Sequence, residues 1–208
     1  YDYRNLHLNY YAVKALQARV YLWEGSAASK EKALAAATEV IDDYFTNTAT
    51  ANTIVRWMGD TDFNNYPAMA LEHIFFFFFN SDKFSNLTAS YLKTAIADTD
   101  YDAYYMTNDD TYAIYENSNT DYRFTKLLQS QLNGTRVGFL PLKLHQTDGA
   151  QQLYSNRIPL LRMPEMYYIA AECHLANDDV AAALNLLTVV RNQRGVYDEL
   201  DVTMSVEA

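Results

Sequence analysis

The sequence predicts a mostly α-helical fold of tetratricopeptide-like helix pairs, with long irregular loops and a few short strands between them. Alanine-rich apolar positions recur at helical spacing near both ends of the 208-residue chain, and the later stretch repeats the layout of the earlier one. Small alanines allow paired helices to approach closely. We therefore expect helix pairs over residues 6–44 and 163–195, joined by an irregular loop and strand region over 45–157, in one partial domain spanning 1–208.

The first pair begins with a helix from about Leu6 to Glu24, ended by Gly25. Its apolar stripe consists of Tyr11, Ala15, Ala18 and Leu22. Ser29 is the expected N-cap of the partner helix, because serine often accepts a hydrogen bond from the first turn. The apolar positions of this second helix are Ala33, Ala37, Val40, Ile41 and Tyr44.

The second pair repeats this layout, with Pro164 and Glu165 opening its first helix. Residues 177–179 are expected to cap the partner helix, and Arg191, Arg194 and Gly195 suit its C-terminal end. The matching positions are Tyr168, Ala171 and Leu175 in the first helix, and Ala183, Leu184, Thr188 and Val190 in the second. The first helices of the two pairs match each other at a sequence separation three residues larger than that of the two second helices. We therefore expect the turn within the first pair to be three residues longer.

The region between the pairs has a different character. Residues 45–66 are rich in Thr, Asn and Asp, and predict a surface loop. Residues 71–79 contain five consecutive phenylalanines and predict a strand that is covered on both faces, with a partner-facing patch as the alternative. Residues 139–144 and 158–161 are predicted to be short extended segments.

Composition excludes several functions. The net charge of −10 and pI near 4.7 oppose binding to nucleic acid or anionic lipid. A single cysteine, Cys173, cannot form a disulfide within these residues or a cysteine-rich metal site, and a role for it with His174 as a metal ligand or nucleophile is disfavoured. No run approaches the roughly 20 apolar residues that a membrane-spanning helix needs.

No motif for catalysis or a cofactor stands out. No two of the four histidines have the spacing of a helical metal site, and the sequence lacks a Gly-x-Ser-x-Gly elbow and a glycine-rich phosphate loop. We therefore predict a protein that is not an enzyme and has no cofactor. Calcium is the one possibility kept open, at residues 98–102 or 60–64, although both stretches lack the glycine and glutamate of a calcium loop.

The best functional signal is the abundance of tyrosine, 18 residues in all, of which six lie among seven carboxylates in residues 98–122. We expect this segment to be an irregular loop. Flat aromatic faces beside Asn and Asp side chains suit a sugar ring, although any one tyrosine could equally pack the loop against the helices. The candidate ligand-binding residues are Trp57, Tyr101, Tyr104, Tyr105, Asn108, Asp109, Tyr112 and Tyr115.

Both helix pairs resemble the SusD/RagB family. The first resemblance covers Asn9–Gly25 and Lys32–Ile41, and the second covers Ile158–Ala176 and Leu184–Gly195. The family pattern Arg-x-x-Glu, Ala-Glu, Arg and Arg-Gly is matched by Arg162, Glu165, Ala171, Glu172, Arg191, Arg194 and Gly195. Glu72–Phe75 and Asp121–Arg123 resemble intervening segments of the family, whereas the phenylalanine run and His174 depart from its pattern.

The resemblance implies a SusD-like fold and a lipid-anchored protein on the outer-membrane surface, with the anchor outside this chain. Such a protein captures a nutrient, usually an oligosaccharide, and delivers it to a SusC-like TonB-dependent transporter. Capture of a peptide or another nutrient by the same family is the nearest alternative. An intracellular tetratricopeptide scaffold that binds a partner peptide and an acidic glycosidase are the others.

Overall fold

The structure, a computed structural model, describes residues 7–46, 55–65, 68–80, 83–84, 105–115, 119–133, 136–142 and 155–200. The helices are α1 (Tyr10–Glu24), α2 (Ala27–Val40), α3 (Asp60–Asn65), α4 (Asn108–Tyr115), α5 (Tyr122–Leu127), α6 (Met163–Ala176) and α7 (Val180–Asn192). A π-helical turn, Ile41–Thr46, follows α2, and a 3-10 turn, Ala70–Glu72, precedes β1. The strands are β1 (His73–Phe78), β2 (Met106–Thr107), β3 (Leu128–Asn133), β4 (Arg136–Pro141) and β5 (Arg157–Arg162). The predicted mostly helical fold is confirmed.

The chain divides into two compact units, with boundaries after Trp57, Leu71 and Phe75 and before Leu160. The first unit contains the two helix pairs, α1 with α2 and α6 with α7. The second contains α3, α4, α5 and a three-stranded antiparallel sheet in the order β2-β4-β3. A further two-stranded sheet pairs β1 with β5.

Small side chains form the core of the first unit. The fully buried residues of α1 and α2 are Ala12, Ala15, Ala18, Ala33, Ala37 and Val40. The helices are antiparallel, because Lys14 near the start of α1 binds Glu39 near the end of α2, with Nζ and Oε2 2.8 Å apart. The two pairs also stack, since α2 packs against α6 and both contribute to one cluster of buried residues.

The turn between α1 and α2 is shorter than predicted. Gly25 adopts φ 79°, a left-handed conformation that favours glycine, and ends α1 as expected. The N-cap of α2 is Ser26, whose Oγ accepts a hydrogen bond from the Ser29 amide at 3.3 Å. The predictions of Ser29 as the N-cap and of a longer turn are therefore wrong. The three residues expected to lengthen the turn form the first helical turn of α2 instead.

The second pair forms where it was predicted, and Ala171, Ala183 and Val190 of its expected apolar positions are buried. The prediction is wrong for Tyr168, which is 47% exposed, and for Thr188, which is also exposed, because both point away from the small-residue face that packs in the core.

Pro164 lies in the first turn of α6, where its missing N–H leaves no helical hydrogen bond unmade. Asp179 caps α7 by accepting a hydrogen bond from the Ala182 amide at 3.2 Å. Gly195 follows α7 with φ 78°.

One face of α1 is apolar and exposed. Val13, Leu16, Val20 and Trp23 recur at intervals of three and four residues, so they form a stripe apart from the buried alanines. An exposed stripe of this kind is typical of a surface that contacts protein.

The region between the pairs is more regular than predicted. The surface loop expected over 45–66 contains α3, and the irregular loop expected over 98–122 contains α4 and the start of α5. Each misread helix begins with a short-range cap. The Gly59 amide donates to Asp62 Oδ2 at 2.9 Å, and the Asp110 amide donates to Thr107 Oγ1 at 3.2 Å. Each bond is one half of a capping box, and such a bond can start a helix without apolar periodicity.

The phenylalanine strand is buried only in its first part. Ile74 and Phe76 of β1 are buried, whereas Phe77 and Phe78 are 52% and 54% exposed. The prediction of cover on both faces is therefore wrong for the end of β1. The extended segments predicted at 139–144 and 158–161 are confirmed where the structure describes them, as parts of β4 and β5.

A buried ion pair links the 3-10 turn to the end of α7. Arg194 donates from Nη1 and Nη2 to the two carboxylate oxygens of Glu72, at 2.6 and 2.5 Å. Both side chains are almost fully buried. A bidentate pair of this geometry satisfies both oxygens of a carboxylate that would otherwise be costly to bury.

Replacing Ser26 with Ala should lower the free energy of unfolding by about 1 kcal/mol, because α2 loses its cap. Ser26→Gly is the matched control and should cost only about a few tenths of a kcal/mol. Urea unfolding of the full-length protein, followed by circular dichroism, measures both. Equal losses in the two variants would contradict the assignment of Ser26 as the N-cap.

Replacing Arg194 with Met should lower the free energy of unfolding by about 3–5 kcal/mol, because it leaves the Glu72 carboxylate buried without its partner. Arg19→Met is the control, since the exposed pair of Arg19 with Glu165 is expected to contribute about 0–1 kcal/mol. Adding Glu72→Met to Arg194→Met should recover much of the loss. Chemical denaturation would contradict this account if the single and double variants were equally unstable.

Candidate ligand-binding surface

Trp57 lies within the first unit, where its indole is half-buried. Its ring centroid is 5.2 Å from that of Tyr167, and the Arg194 guanidinium lies 5.3 Å from it. Burial raises the pKa of Tyr167, and a hydrogen bond with Trp57 partly opposes this rise. The structure therefore gives Trp57 packing contacts, and its contact with a ligand stays a prediction.

Five of the other candidates belong to the second unit, in or just before α4. We call them the α4 surface: Tyr105, Asn108, Asp109, Tyr112 and Tyr115. Tyr101 and Tyr104 lie outside the described residues. The N-terminus of α4 is fixed by Thr107, whose Oγ1 also donates to Asp110 Oδ2 at 2.7 Å. The Thr-x-x-Asp pattern was the sequence signal that could have predicted this helix.

Tyr112 and Tyr115 pack against an aromatic cluster formed by Phe124 and Phe139. Both rings lie about 6 Å from Phe124, at 6.0 and 5.9 Å between centroids. Tyr112 also meets Phe139 of β4 edge to face at 5.9 Å. Such contacts hold a ring in one orientation. Because Tyr112 remains 38% exposed, its ring is both fixed and accessible.

Tyr115 is more deeply placed than Tyr112. Burial raises the pKa of Tyr115, while the nearby charge of Arg123 lowers it. The Arg123 guanidinium lies 5.5 Å from the centre of that ring and donates to Asp121 Oδ2 at 2.7 Å. Arg123 therefore packs against the Tyr115 ring while Asp121 neutralises the charge of the guanidinium.

Tyr105 contacts β4 at a different point. It is 42% exposed, and its Cδ2 would lie 2.9 Å from a Cβ placed on Gly138. Gly138 and Phe139 are successive strand residues, which point to opposite faces. Tyr105 and Tyr112 therefore approach β4 from opposite sides. Gly138 was missed in the sequence, although an isolated glycine in a strand often marks a close approach of another chain segment.

The chemistry available on the α4 surface is that of binding. On the side of Tyr112 it offers that exposed phenol ring, the Asn108 amide and the exposed Asp109 carboxylate, which can hold an apolar ring face and hydroxyl groups. The Tyr105 ring lies on the other side of β4. Within the described part of the chain, no three His, Cys, Asp or Glu residues gather as a metal site would require. Residues 60–64, one of the two candidate calcium stretches, lie in α3, and residues 98–102 lie outside the described ranges.

Cys173 and His174, the pair considered as metal ligands or a nucleophile, make ordinary structural contacts. Cys173 is fully buried, and burial raises the pKa of its thiol. His174 Nδ1 lies 3.1 Å from Asp179 Oδ2, at the turn between α6 and α7. The two side chains therefore face different surroundings, as adjacent helical residues do.

Comparison with known proteins gives a family match over most of the chain. The sequence profile described as the SusD family matches residues 16–205. No curated protein matches the chain. Within the described residues, no helix combines the length and apolar character needed to cross a bilayer.

Solved structures share the fold. A SusD superfamily protein from Bacteroides thetaiotaomicron has a TM-score of 0.67 at 20% identity, over 92% of this chain and 42% of its own. A SusD superfamily protein from Bacteroides vulgatus has a TM-score of 0.65 at 19% identity, over 92% and 42%. A SusD-like carbohydrate binding protein from the same species has a TM-score of 0.66 at 18% identity, over 97% and 40%. The chain thus spans less than half the length of each of these structures.

Cys173 should resist thiol reagents in the folded protein, because it is buried and its pKa is raised. It is the single cysteine of this chain, so a Cys173→Ala variant identifies its share of the reaction with Ellman's reagent. We expect fast reaction only after unfolding in guanidinium. A Val189→Cys variant in the Cys173→Ala background, exposed on α7, is the control that should react at once. Rapid reaction of native Cys173 would restore the case for a reactive thiol.

Proposed function

Because the chain belongs to the SusD family, we propose that it forms part of a non-catalytic cell-surface protein that binds an oligosaccharide nutrient. The observation that carries this proposal is the α4 surface, where Tyr112 is held by Phe124 and Phe139 yet remains accessible. A rigid exposed ring binds a sugar face without losing conformational freedom on binding. The structural likeness to a SusD-like carbohydrate binding protein from Bacteroides vulgatus supports the same ligand class.

We further propose that the protein is held on the outer membrane by a lipid anchor outside this chain and delivers its ligand to a SusC-like TonB-dependent transporter. The exposed apolar stripe of α1 supports a contact with protein, since the stripe consists of Val13, Leu16, Val20 and Trp23. Delivery requires binding without chemical change of the ligand.

Titration calorimetry of the full-length protein with neutral oligosaccharides and with peptides tests the ligand class. We expect a subset of the oligosaccharides to bind, and Tyr112→Ala to weaken binding by about tenfold through loss of the exposed ring. Tyr197→Ala is the control, because Tyr197 is an exposed tyrosine of the first unit. Tight binding of peptides with no oligosaccharide binding would replace the glycan by a peptide nutrient.

A further inference from the structure

We propose that the exposed apolar stripe of α1 is the docking face for a further helix pair of the same polypeptide, from a part of it that lies outside these 208 residues. The stripe consists of Val13, Leu16, Val20 and Trp23. Its exposure alone indicates only that it contacts protein. The internal repeat of the chain identifies which protein, and this identification holds whichever nutrient the α4 surface binds.

Helix α1 is apolar on two sides. Ala12, Ala15 and Ala18 form one side, which is fully buried in the core of the first unit. The stripe lies roughly 120° around the helix axis from these alanines, because successive helical residues turn by about 100°. A helix at the end of a repeat array has a polar outer face, whereas a helix inside the array is apolar on more than one side. The pattern of α1 is therefore that of an internal helix.

The second helix pair shows what covers the equivalent positions of its own first helix. Ala18 of α1 matches Ala171 of α6 in the internal repeat. At the same separation, the first three residues of the stripe match three residues of α6 that are fully or almost fully buried: Met166, Ile169 and Cys173. These three belong to the cluster in which α6 packs against α2. The α1 stripe therefore occupies the positions by which α6 docks on the preceding pair.

The contacts between α2 and α6 indicate how the partner of α1 would lie. Cys173, near the end of α6, lies close to the backbone of Leu34, whereas Tyr167, near the start of α6, lies close to Asp42 just beyond α2. The two helices are therefore antiparallel. The side chains that α2 itself adds to the cluster are mostly small: Ala33, Ala36, Ala37 and Val40. We expect the partner to be the second helix of a pair, antiparallel to α1 and rich in alanine where it faces the stripe.

A longer polypeptide has room for such a pair. This chain spans less than half the length of the solved structures that share its fold, and a tetratricopeptide unit needs only about 34 residues. Docking within one polypeptide also avoids the loss of translational and rotational freedom that a contact between separate proteins requires. Contact with a transporter would then use a different surface of the protein.

The test is cysteine labelling of the full-length protein as a monomer, with no transporter present. Leu16→Cys and Val20→Cys place a thiol in the stripe, and Glu31→Cys is the control, because Glu31 is exposed on α2. Mass spectrometry of the peptide that contains each site measures its reaction with N-ethylmaleimide, so any other cysteine does not interfere. We expect positions 16 and 20 to react at least about 100-fold more slowly in the native protein than after unfolding in guanidinium, and position 31 to react at similar rates in both.

The outcomes separate the possible partners. Protection of positions 16 and 20 that does not depend on protein concentration supports docking within the polypeptide. Fast native reaction at both positions would overturn it, as would protection that is lost on dilution, which indicates a second copy, or protection that requires the transporter. If Leu16→Cys does not fold, as judged by circular dichroism, the more conservative Val20→Cys decides. The oligosaccharide titrations are unaffected by any of these results, so the proposed binding function is judged separately.

Discussion

The first unit depends on one constraint, the burial of the Glu72 carboxylate. A buried carboxylate needs a partner of opposite charge, and Arg194 provides it with two hydrogen bonds of 2.6 and 2.5 Å. The guanidinium also contacts the indole of Trp57, which in turn meets the ring of Tyr167 on α6. The pair thus fixes the end of α7 and the residues around it, while the alanine faces of the helices determine how closely they pack.

The helix pairs could be predicted because their cores are local in sequence. Ala15 and Ala18 of the predicted α1 stripe are fully buried, so their helical spacing indicated the buried face correctly. The stripe was offset at its edges, because Tyr11 and Leu22 are only partly buried and Ala12 is buried instead. The short helices could not be found in this way, since α3 and α4 are held at their starts by single side chain to backbone hydrogen bonds. In the sequence, such a bond is indicated by only two residues three positions apart, as at Thr107 and Asp110.

The candidate surface was predictable in composition but not in arrangement. An abundance of tyrosine indicated that rings were available, and it placed Tyr105 and Tyr112 among the candidates. Which face each ring occupies depends on β4, whose residues Gly138 and Phe139 are more than 25 positions away in sequence. Trp57 is the main bulky side chain of the polar segment 45–66, which makes it a candidate from sequence. Its contacts with Tyr167 and Arg194 depend on the second helix pair, which no local pattern could supply.

The separation of Glu72 and Arg194, 122 residues along the chain, has a consequence for biosynthesis. When Glu72 leaves the ribosome, its partner has not yet been made, so the carboxylate must remain hydrated until α7 has been synthesised. The α1–α2 hairpin is complete long before that point, because its contacts are local. The first unit can therefore reach its final packing only after translation has passed Arg194, and until then the unfinished chain keeps the Glu72 carboxylate in water.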